Sequence, residues 1–383
     1  MARGAKAAAP SREAGGTPPE PEYVQLLTPT GERVAQSTGA DGVTYSVDFT
    51  DSEIRGLYRD LVVVRKLDTE ATALQRQGEL GIWASLLGQE AAQVGSGHAL
   101  RAQDMVFPTY REHGVLYVRG IDPIRPLALF RGVNYGGWDP IAEKFNLYTI
   151  VIGAQTLHAT GYAMGVAKDG RIGGDDGEAV IAYFGDGASA QGDVNESFVW
   201  ASVFNAPVVF FCQNNQFAIS EPTERQTRVP LYRRAAGYGF PGVRVDGNDV
   251  LACYAVTRAA LDNARHGNGP TLIEAYTYRM GAHTTSDDPT RYRISSEVEA
   301  WQAKDPIERV RAYLTRQGTG ADFFDDVEAE AASKAADLRE RVLSMPDPQP
   351  VEMFDNAYAH GSPEVDAERE QFVAYSASFE GGH

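Results

Sequence analysis

Short apolar runs separated by amphipathic stretches dominate the middle of the chain. The runs at 179–184 (AVIAYF) and 208–212 (VVFFC) have the length and composition of buried parallel strands. A helical pattern lies between them, and the stretches 242–250 and 271–278 predict two further strands. We therefore expect an α/β fold in which a mostly parallel sheet carries helices on both faces.

Helical patterns flank this region on both sides. Thr50 and Glu53 have the spacing of a capping box, and apolar residues at helical spacing follow them. From Ser295 onward the pattern is again helical, until prolines at 346, 348 and 350 end it. We expect a compact domain over residues 48–345, a flexible arm rich in Ala, Gly and Pro over 1–47, and a C-terminal tail over 346–383.

Composition narrows the class of protein. The chain has 383 residues, 43% of them hydrophobic, and a formal net charge of −17, which argues against a nucleic-acid partner. No apolar run is long enough to predict a membrane span, and the N-terminus lacks the apolar core of a secretory signal. Cys212 and Cys253 fall in a predicted strand and a predicted helix, so we interpret them as buried apolar residues and expect a cytoplasmic protein.

Polar residues follow the first two predicted strands where each one ends. Gly185-Asp186-Gly187 breaks the first strand, and Asn214-Asn215 ends the second. Because ligands of open α/β sheets bind at the carboxyl ends of the strands, Asp186 and Asn215 are expected at one edge of the sheet. Their oxygens suit Mg²⁺, and the nearby helix N-terminus favours an anion. The sequence therefore predicts a magnesium-diphosphate site.

The spacing of these motifs resembles a known pattern. Between Gly187 and Asn214 lie 26 positions, and this GDG-x26-NN arrangement resembles the thiamine-diphosphate motif. The wider stretch from about Asp48 to Leu314 resembles the alpha subunit of two-subunit 2-oxo acid dehydrogenases. The resemblance implies a thiamine-diphosphate-binding fold with thiamine diphosphate and Mg²⁺ as cofactors. It implies that Asp186, Asn215 and the main-chain carbonyl of Phe217 bind the metal, and that the cofactor also contacts Gly185, Gly187 and Ala188.

Further cofactor contacts are implied by the same resemblance. Tyr110 and Arg111, in the motif YRE, match residues at the diphosphate and the mouth of the site. Ile152 matches a large apolar residue that bends the cofactor into a V shape, and Ile150 is expected to contact it through its main chain. Val151 and Ala154 stand where relatives have potassium ligands, so no potassium site is predicted. The loop beginning at Asn134 departs from the family pattern.

The stretch 278–293 resembles an active-site loop of the family, YR-x-G-x-H…DDP-x-x-YR. The resemblance implies that Arg279 binds cofactor and that His283 is catalytic, lying over the thiazolium ring. From their charges alone, Asp287 and Asp288 are expected to pair with Arg291 or Arg293 and so to order the loop. Thr284 stands where mammalian relatives carry a regulatory phosphoserine, but nothing in the sequence indicates a kinase.

The resemblance implies that this chain is one of two kinds of subunit that the active enzyme needs. Decarboxylation of a 2-oxo acid needs an electron sink, which thiamine diphosphate supplies. No Glu of this chain can be assigned to activate the cofactor, and the family places that residue on a beta subunit. We therefore expect a heterotetramer of two alpha and two beta subunits that acylates a lipoyl acyltransferase. The predicted substrate is a branched-chain 2-oxo acid; the alternatives are pyruvate, acetoin, or a non-catalytic scaffold.

Overall fold

A central parallel sheet organises the computed structural model, which describes residues 23–133, 137–174, 176–355 and 357–380. Its five strands lie in the order β3-β4-β5-β9-β8, and every pairing in it is parallel. The strands are β1 Ser37–Thr38, β2 Thr44–Tyr45, β3 Met105–Phe107, β4 Val180–Gly185, β5 Val208–Asn214, β6 Phe217–Ala218, β7 Glu221–Pro222, β8 Gly242–Asp246 and β9 Thr271–Tyr276. Short antiparallel pairs join β1 to β2 and β6 to β7.

Helices cover the sheet, and further helices follow its last strand in the chain. They are α1 Asp51–Arg76, α2 Glu90–His98, α3 His113–Val118, α4 Ile124–Arg131, α5 Ala154–Lys168, α6 Gly192–Val203, α7 Thr223–Gln226, α8 Arg234–Tyr238, α9 Val250–Arg265, α10 Ser295–Gln302, α11 Pro306–Arg316, α12 Ala321–Leu343 and α13 Pro363–Glu380. Short 3₁₀ turns occupy Asp186–Ala190, Leu231–Arg233, Pro289–Arg291 and Pro350–Phe354.

The two faces of the sheet pack into two separate cores. Ile181 and Tyr183 of β4 point into a core that also contains side chains of α1, α2, α9 and α12. Val180 and Phe184 of the same strand point the other way, towards α5 and α6. Burial on both faces explains why the strands read as continuous apolar runs. The predicted α/β fold, with a mostly parallel sheet between helices, is confirmed.

The first long helix begins as its sequence indicates. The hydroxyl of Thr50 accepts from the backbone N–H of Glu53, and the Glu53 carboxylate accepts from the backbone N–H of Thr50. These reciprocal bonds satisfy N–H groups that the first turn leaves unpaired. The buried side of α1 packs against α11 and α12, which makes α1 a fixed element behind the site described below.

The segment before α1 differs from the predicted flexible arm. Val24 bridges the edge strand β8: its N–H donates to Arg244 O at 2.9 Å, and its carbonyl accepts from Asp246 N at 3.0 Å. Leu26 and Leu27 are fully buried and donate their N–H groups to the carboxylate of Asp249. Burial of these apolar side chains fixes residues 23–47 onto the domain; residues 1–22 of the predicted arm lie outside the described residues. The domain and tail boundaries stay predictions.

In the part of the chain that the structure describes, no helix combines the length and apolar character needed to cross a membrane. Both cysteines are free and buried, as interpreted from the sequence. The loop predicted from Asn134 lies partly outside the described residues, since 134–136 are not described.

Candidate active site

A cleft of about 230 Å³ opens at the carboxyl ends of β4 and β5. The loop before α3, the turn after β4, the turn after β5 and the loop after β9 form its walls. All the predicted site residues except Ile150 and Arg279 line it, namely Tyr110, Arg111, Ile152, Gly185, Asp186, Gly187, Ala188, Asn215, Phe217 and His283. The adjacency of β4 and β5 in the sheet therefore brings the two polar strand ends together.

Asp186 follows β4 directly and is only 1% exposed. Its Oδ2 accepts from Thr223 Oγ1 at 3.0 Å and from Gln226 Nε2 at 3.1 Å, both on the short helix α7. Burial raises the pKa of this carboxyl, while the two hydrogen bonds act in the opposite direction. Because both side-chain donors donate to Oδ2, Oδ1 is the oxygen that is available to bind a cation.

Asn215 follows β5 and lines the same cleft as Asp186. Its Nδ2 donates to Gln89 Oε1 at 3.1 Å, which fixes the orientation of the amide and assigns Oδ1 as the acceptor. Oδ1 accepts from the N–H of Phe217 at 3.3 Å, and Phe217 lines the same cleft. A carboxylate, an amide oxygen and a main-chain carbonyl form the hard donor set that suits Mg²⁺.

Gly187 allows the turn after β4 to pack closely on β6. A Cβ at this position would lie 2.6 Å from the Cβ of Ala218, far inside van der Waals contact. Only glycine therefore fits between the turn and the strand that Phe217 begins. This cradle fits a phosphate-bearing group, because the turn leads into the N-terminus of α6.

Arg111 brings a positive charge to the opposite wall of the cleft. It is 6% exposed, and its Nη2 donates to His283 O at 2.9 Å and lies 3.3 Å from His283 Nδ1. Its Nη1 donates to the carbonyl of Ser85. The Tyr110 ring stands edge-on to the imidazole of His283, with ring centres 6.3 Å apart. The motif YRE thus lies in a loop, as predicted, and it contacts the loop that carries the histidine.

His283 is a neutral imidazole in this setting. Burial and the positive charges of Arg111 and Arg279 lower its pKa to about 3. Arg111 can only donate, so Nδ1 facing it is the acceptor and the proton resides on Nε2. His283 therefore enters the cleft as a hydrogen-bond donor at Nε2 over the whole physiological pH range.

The loop that carries His283 is ordered differently from the prediction. Asp287 accepts from the His283 N–H at 2.8 Å and from the Tyr292 hydroxyl, rather than pairing with an arginine. Asp288 caps the following 3₁₀ turn through Thr290. Arg293 instead donates to main-chain carbonyls of residues 279–281. Main-chain N–H and C=O groups of this tight loop therefore supply the hydrogen bonds that opposite charges were expected to supply.

Arg279 and Ile150 lie outside the cleft, which argues against direct cofactor contacts by their side chains. Arg279 is fully buried and donates to the carbonyls of Phe217 at 3.1 Å and Ile219 at 2.6 Å. It therefore holds the turn that supplies the Phe217 carbonyl. Ile150 is 61% exposed, and the neighbouring Thr149 lines the cleft in its place.

Several lining residues were missed by the sequence reasoning. One of them is Gln213, whose Nε2 donates to Glu112 Oε1 at 2.5 Å and whose Oε1 accepts from Gln93 Nε2 at 3.1 Å. Burial raises the pKa of Glu112. Gln89 and Gln191 reach the cleft from elements without a recognisable motif, whereas Thr109 and Glu112 flank the predicted Tyr110 and Arg111. The missed set is Gln89, Thr109, Glu112, Thr149, Gly153, Gln155, Gln191, Gln213, Ala218 and Ile219.

The similarity of the chain to known proteins agrees with this geometry. The family model "Dehydrogenase E1 component" matches residues 58–350. The chain belongs to the dehydrogenase E1 component family. It is 46% identical over 355 residues to 3-methyl-2-oxobutanoate dehydrogenase subunit alpha of Mycobacterium tuberculosis, covering 92% of this chain and 94% of that protein. It is 38% identical over 321 residues to pyruvate dehydrogenase E1 component subunit alpha of Staphylococcus aureus, covering 83% of each chain.

A third relative is also a pyruvate dehydrogenase subunit. The chain is 39% identical over 318 residues to pyruvate dehydrogenase E1 component subunit alpha of Staphylococcus epidermidis, covering 82% of this chain and 81% of that one. The resemblance recognised from the GDG and NN motifs is thereby confirmed, and the chain is an enzyme of the 2-oxo acid dehydrogenase type. Membership of this family implies dependence on thiamine diphosphate.

Proposed function

We propose that this chain is the alpha subunit of a branched-chain 2-oxo acid dehydrogenase. The enzyme oxidatively decarboxylates an acid of the 2-oxoisovalerate type and transfers the acyl group to the lipoyl group of an acyltransferase. The observation that carries the proposal is the convergence of Asp186, Asn215, Arg111 and His283 on one cleft. The 46% identity to a 3-methyl-2-oxobutanoate dehydrogenase subunit supports the branched-chain substrate, since it exceeds the 38% identity to a pyruvate dehydrogenase subunit.

Magnesium and the diphosphate of the cofactor belong in the turn after β4. Asp186, Asn215 and the Phe217 carbonyl would hold the cation, and Arg111 would face the diphosphate with a guanidinium that matches phosphate oxygens. When bound, thiamine diphosphate supplies the electron sink that decarboxylation requires. Ile152 lines the same cleft with an apolar side chain that can exclude water from the reacting centre.

His283 has a defined role in this proposal. As a neutral imidazole with its proton on Nε2, it donates a hydrogen bond to a substrate oxygen on which negative charge develops. Arg111 holds the histidine at both its carbonyl and Nδ1, so the donor keeps its direction without a carboxylate partner.

A beta subunit would complete the site. Three consecutive apolar residues at the rim of the cleft, Ile150, Val151 and Ile152, are 61%, 70% and 44% exposed. On α6, Trp200 and Val203 are also exposed, at 43% and 74%. A run of exposed apolar residues beside a site is typical of an interface. We propose that a beta subunit covers this surface in a heterotetramer and contributes the acid that activates the cofactor; the cytoplasmic location stays a prediction.

The test is steady-state decarboxylation by the chain co-expressed with its beta subunit, followed with a dye acceptor. We compare 2-oxoisovalerate with pyruvate, each with and without Mg²⁺ and thiamine diphosphate. A cofactor-dependent preference for 2-oxoisovalerate is expected. Asp186→Asn should abolish this cofactor-dependent turnover, whereas the exposed control Asp169→Asn should leave it unchanged. Cofactor-independent turnover would contradict the proposal.

Pyruvate dehydrogenation is the second candidate, favoured by the identity to the two staphylococcal subunits. A preference for pyruvate in the same assay would assign that activity and leave the site unchanged. Turnover of acetoin alone would point to an acetoin dehydrogenase, and neither turnover nor binding of the cofactor would point to a non-catalytic scaffold.

A further inference from the structure

The segment 83–88 passes behind the cleft between α1 and α2, and its carbonyl groups hold the YRE loop. The carbonyl of Ser85 accepts from Arg111 Nη1, and the carbonyl of Ala84 accepts from His113 Nε2 at 3.0 Å. The indole of Trp83 stacks on the imidazole of His113 with ring centres 4.0 Å apart. The position of Arg111 in the cleft therefore depends on where this segment lies.

The same segment holds the loop that carries His283. Trp83 and Thr285 exchange two hydrogen bonds: Thr285 N donates to Trp83 O at 3.0 Å, and Trp83 N donates to Thr285 Oγ1 at 3.1 Å. The carbonyl of Leu87 accepts from Met280 N at 3.1 Å. The segment is therefore bonded to the loop on both sides of His283, at Met280 and at Thr285.

A single buried carboxylate fixes the segment. Asp68, on the buried side of α1, is 4% exposed and accepts from Trp83 Nε1 at 2.8 Å, Ser85 Oγ at 2.6 Å and Leu86 N at 3.2 Å. Three donors from four successive residues leave the segment little freedom relative to α1. Charge-assisted bonds of this kind are stronger than neutral ones, and an orphaned buried donor is costly.

We propose that Asp68 is a positioning residue of this enzyme, which sets Arg111 and His283 in the cleft through the segment 83–88. The inference rests on the proposed function for its catalytic consequence. Asp68 does not line the cleft and touches neither the cofactor site nor the substrate site. Its effect is transmitted by the carbonyl groups of the segment, which turn towards the two loops because the side chains and one N–H turn towards Asp68.

The test compares three variants in the complex with the beta subunit. Asp68→Leu fills the space and removes every acceptor; Asp68→Asn keeps an acceptor oxygen for Trp83 and Leu86. Leu61→Ala is the matched control, because it removes fully buried apolar volume from the same helix and leaves the carboxylate in place. Hydrogen exchange is measured by mass spectrometry, and thiamine diphosphate affinity by equilibrium titration.

Asp68→Leu should raise amide exchange on the order of tenfold in residues 83–88 and 283–287. It should weaken cofactor binding by about tenfold and lower kcat more than it raises KM, because binding and positioning of the substrate's oxygen are both disturbed. Asp68→Asn should recover most of these losses. Leu61→Ala should lower the melting temperature without raising exchange selectively in the two loops.

Unchanged exchange at 283–287 in a folded Asp68→Leu complex would overturn the inference, as would the same loop-selective change in Leu61→Ala. If Asp68→Leu does not assemble, Ser85→Ala removes one donor to the same carboxylate; a smaller change in the same loops is expected, and no change would overturn the inference. The exchange comparison does not require turnover. A wild-type complex inactive on every 2-oxo acid would contradict the proposed function instead.

Discussion

Thr223 connects the two strand ends that form the proposed metal site. Its hydroxyl donates to Asp186 Oδ2 at 3.0 Å and also lies 3.2 Å from Asn214 Oδ1. Thr223→Val keeps the shape and removes the hydroxyl. A hydrogen bond to a charged group contributes about 1.5–3 kcal/mol, and Gln226 still holds Oδ2 in the variant. We therefore expect a loss of about 1.5 kcal/mol in the free energy of Mg²⁺ binding, which corresponds to roughly tenfold weaker affinity.

The assay is a Mg²⁺ titration of the complex at fixed thiamine diphosphate, followed by intrinsic tryptophan fluorescence and by melting temperature. The loss matches the range of about 10–100-fold found when groups that orient metal ligands are removed. Thr223→Ser, which restores the hydroxyl, is the control and should titrate as the wild type does. A Thr223→Val complex with wild-type Mg²⁺ affinity would refute the reasoning, because Asp186 would then need no orienting hydroxyl.

Three further predictions address the turn, the histidine and the buried N-terminal segment. Gly187→Ala should weaken cofactor binding by at least about tenfold in titration, since its Cβ would lie 2.6 Å from that of Ala218, whereas Gly192→Ala, with open space around it, should not. Because the pKa of His283 is lowered to about 3, the pH profile of kcat/KM should show no loss from its protonation above about pH 5; a His283-dependent limb near pH 6.5 would contradict this. Burial raises the pKa of Asp249 to about 6 from 3.8, so the folded state binds this proton more tightly, and the contribution of Asp249 to the free energy of unfolding should fall as pH rises from about 4 to 6. Urea unfolding of the wild type and Asp249→Asn at both pH values tests this: the advantage of the wild type should shrink by up to about 3 kcal/mol at the higher pH, and a growing advantage would contradict it.

The strand ends could be predicted because the rule that places them is general. Apolar runs identified β4 and β5, and the residue after a parallel strand lies at a ligand-binding edge whichever helix follows. Asp186 and Asn215 were therefore placed from periodicity and spacing. Thr223 and Gln226, which orient Asp186, could not be placed this way, because they come from a four-residue helix that follows the two-residue strand β7, and neither element is long enough to show a periodic pattern.

The direction in which side chains point from loops was the feature that the sequence predicted least well. Arg279 follows β9 in a motif that resembles a cofactor-binding loop, yet its guanidinium turns into the protein towards two carbonyls. A loop has no period from which to infer which way a side chain faces. The N-terminal segment presents the same difficulty: Val24 and Leu26 are buried, but they stand in a stretch too short to show a pattern.

Equilibrium binding of thiamine diphosphate tests the central claim most directly, namely that the turn after β4 holds the metal and diphosphate. Calorimetry should be performed with the complex of the chain and its beta subunit, in Mg²⁺, for the wild type and for Asp186→Asn. The wild type should bind one cofactor per cleft in a Mg²⁺-dependent manner, and Asp186→Asn should lose at least about tenfold in affinity. Equal, Mg²⁺-independent binding by both proteins would contradict the account.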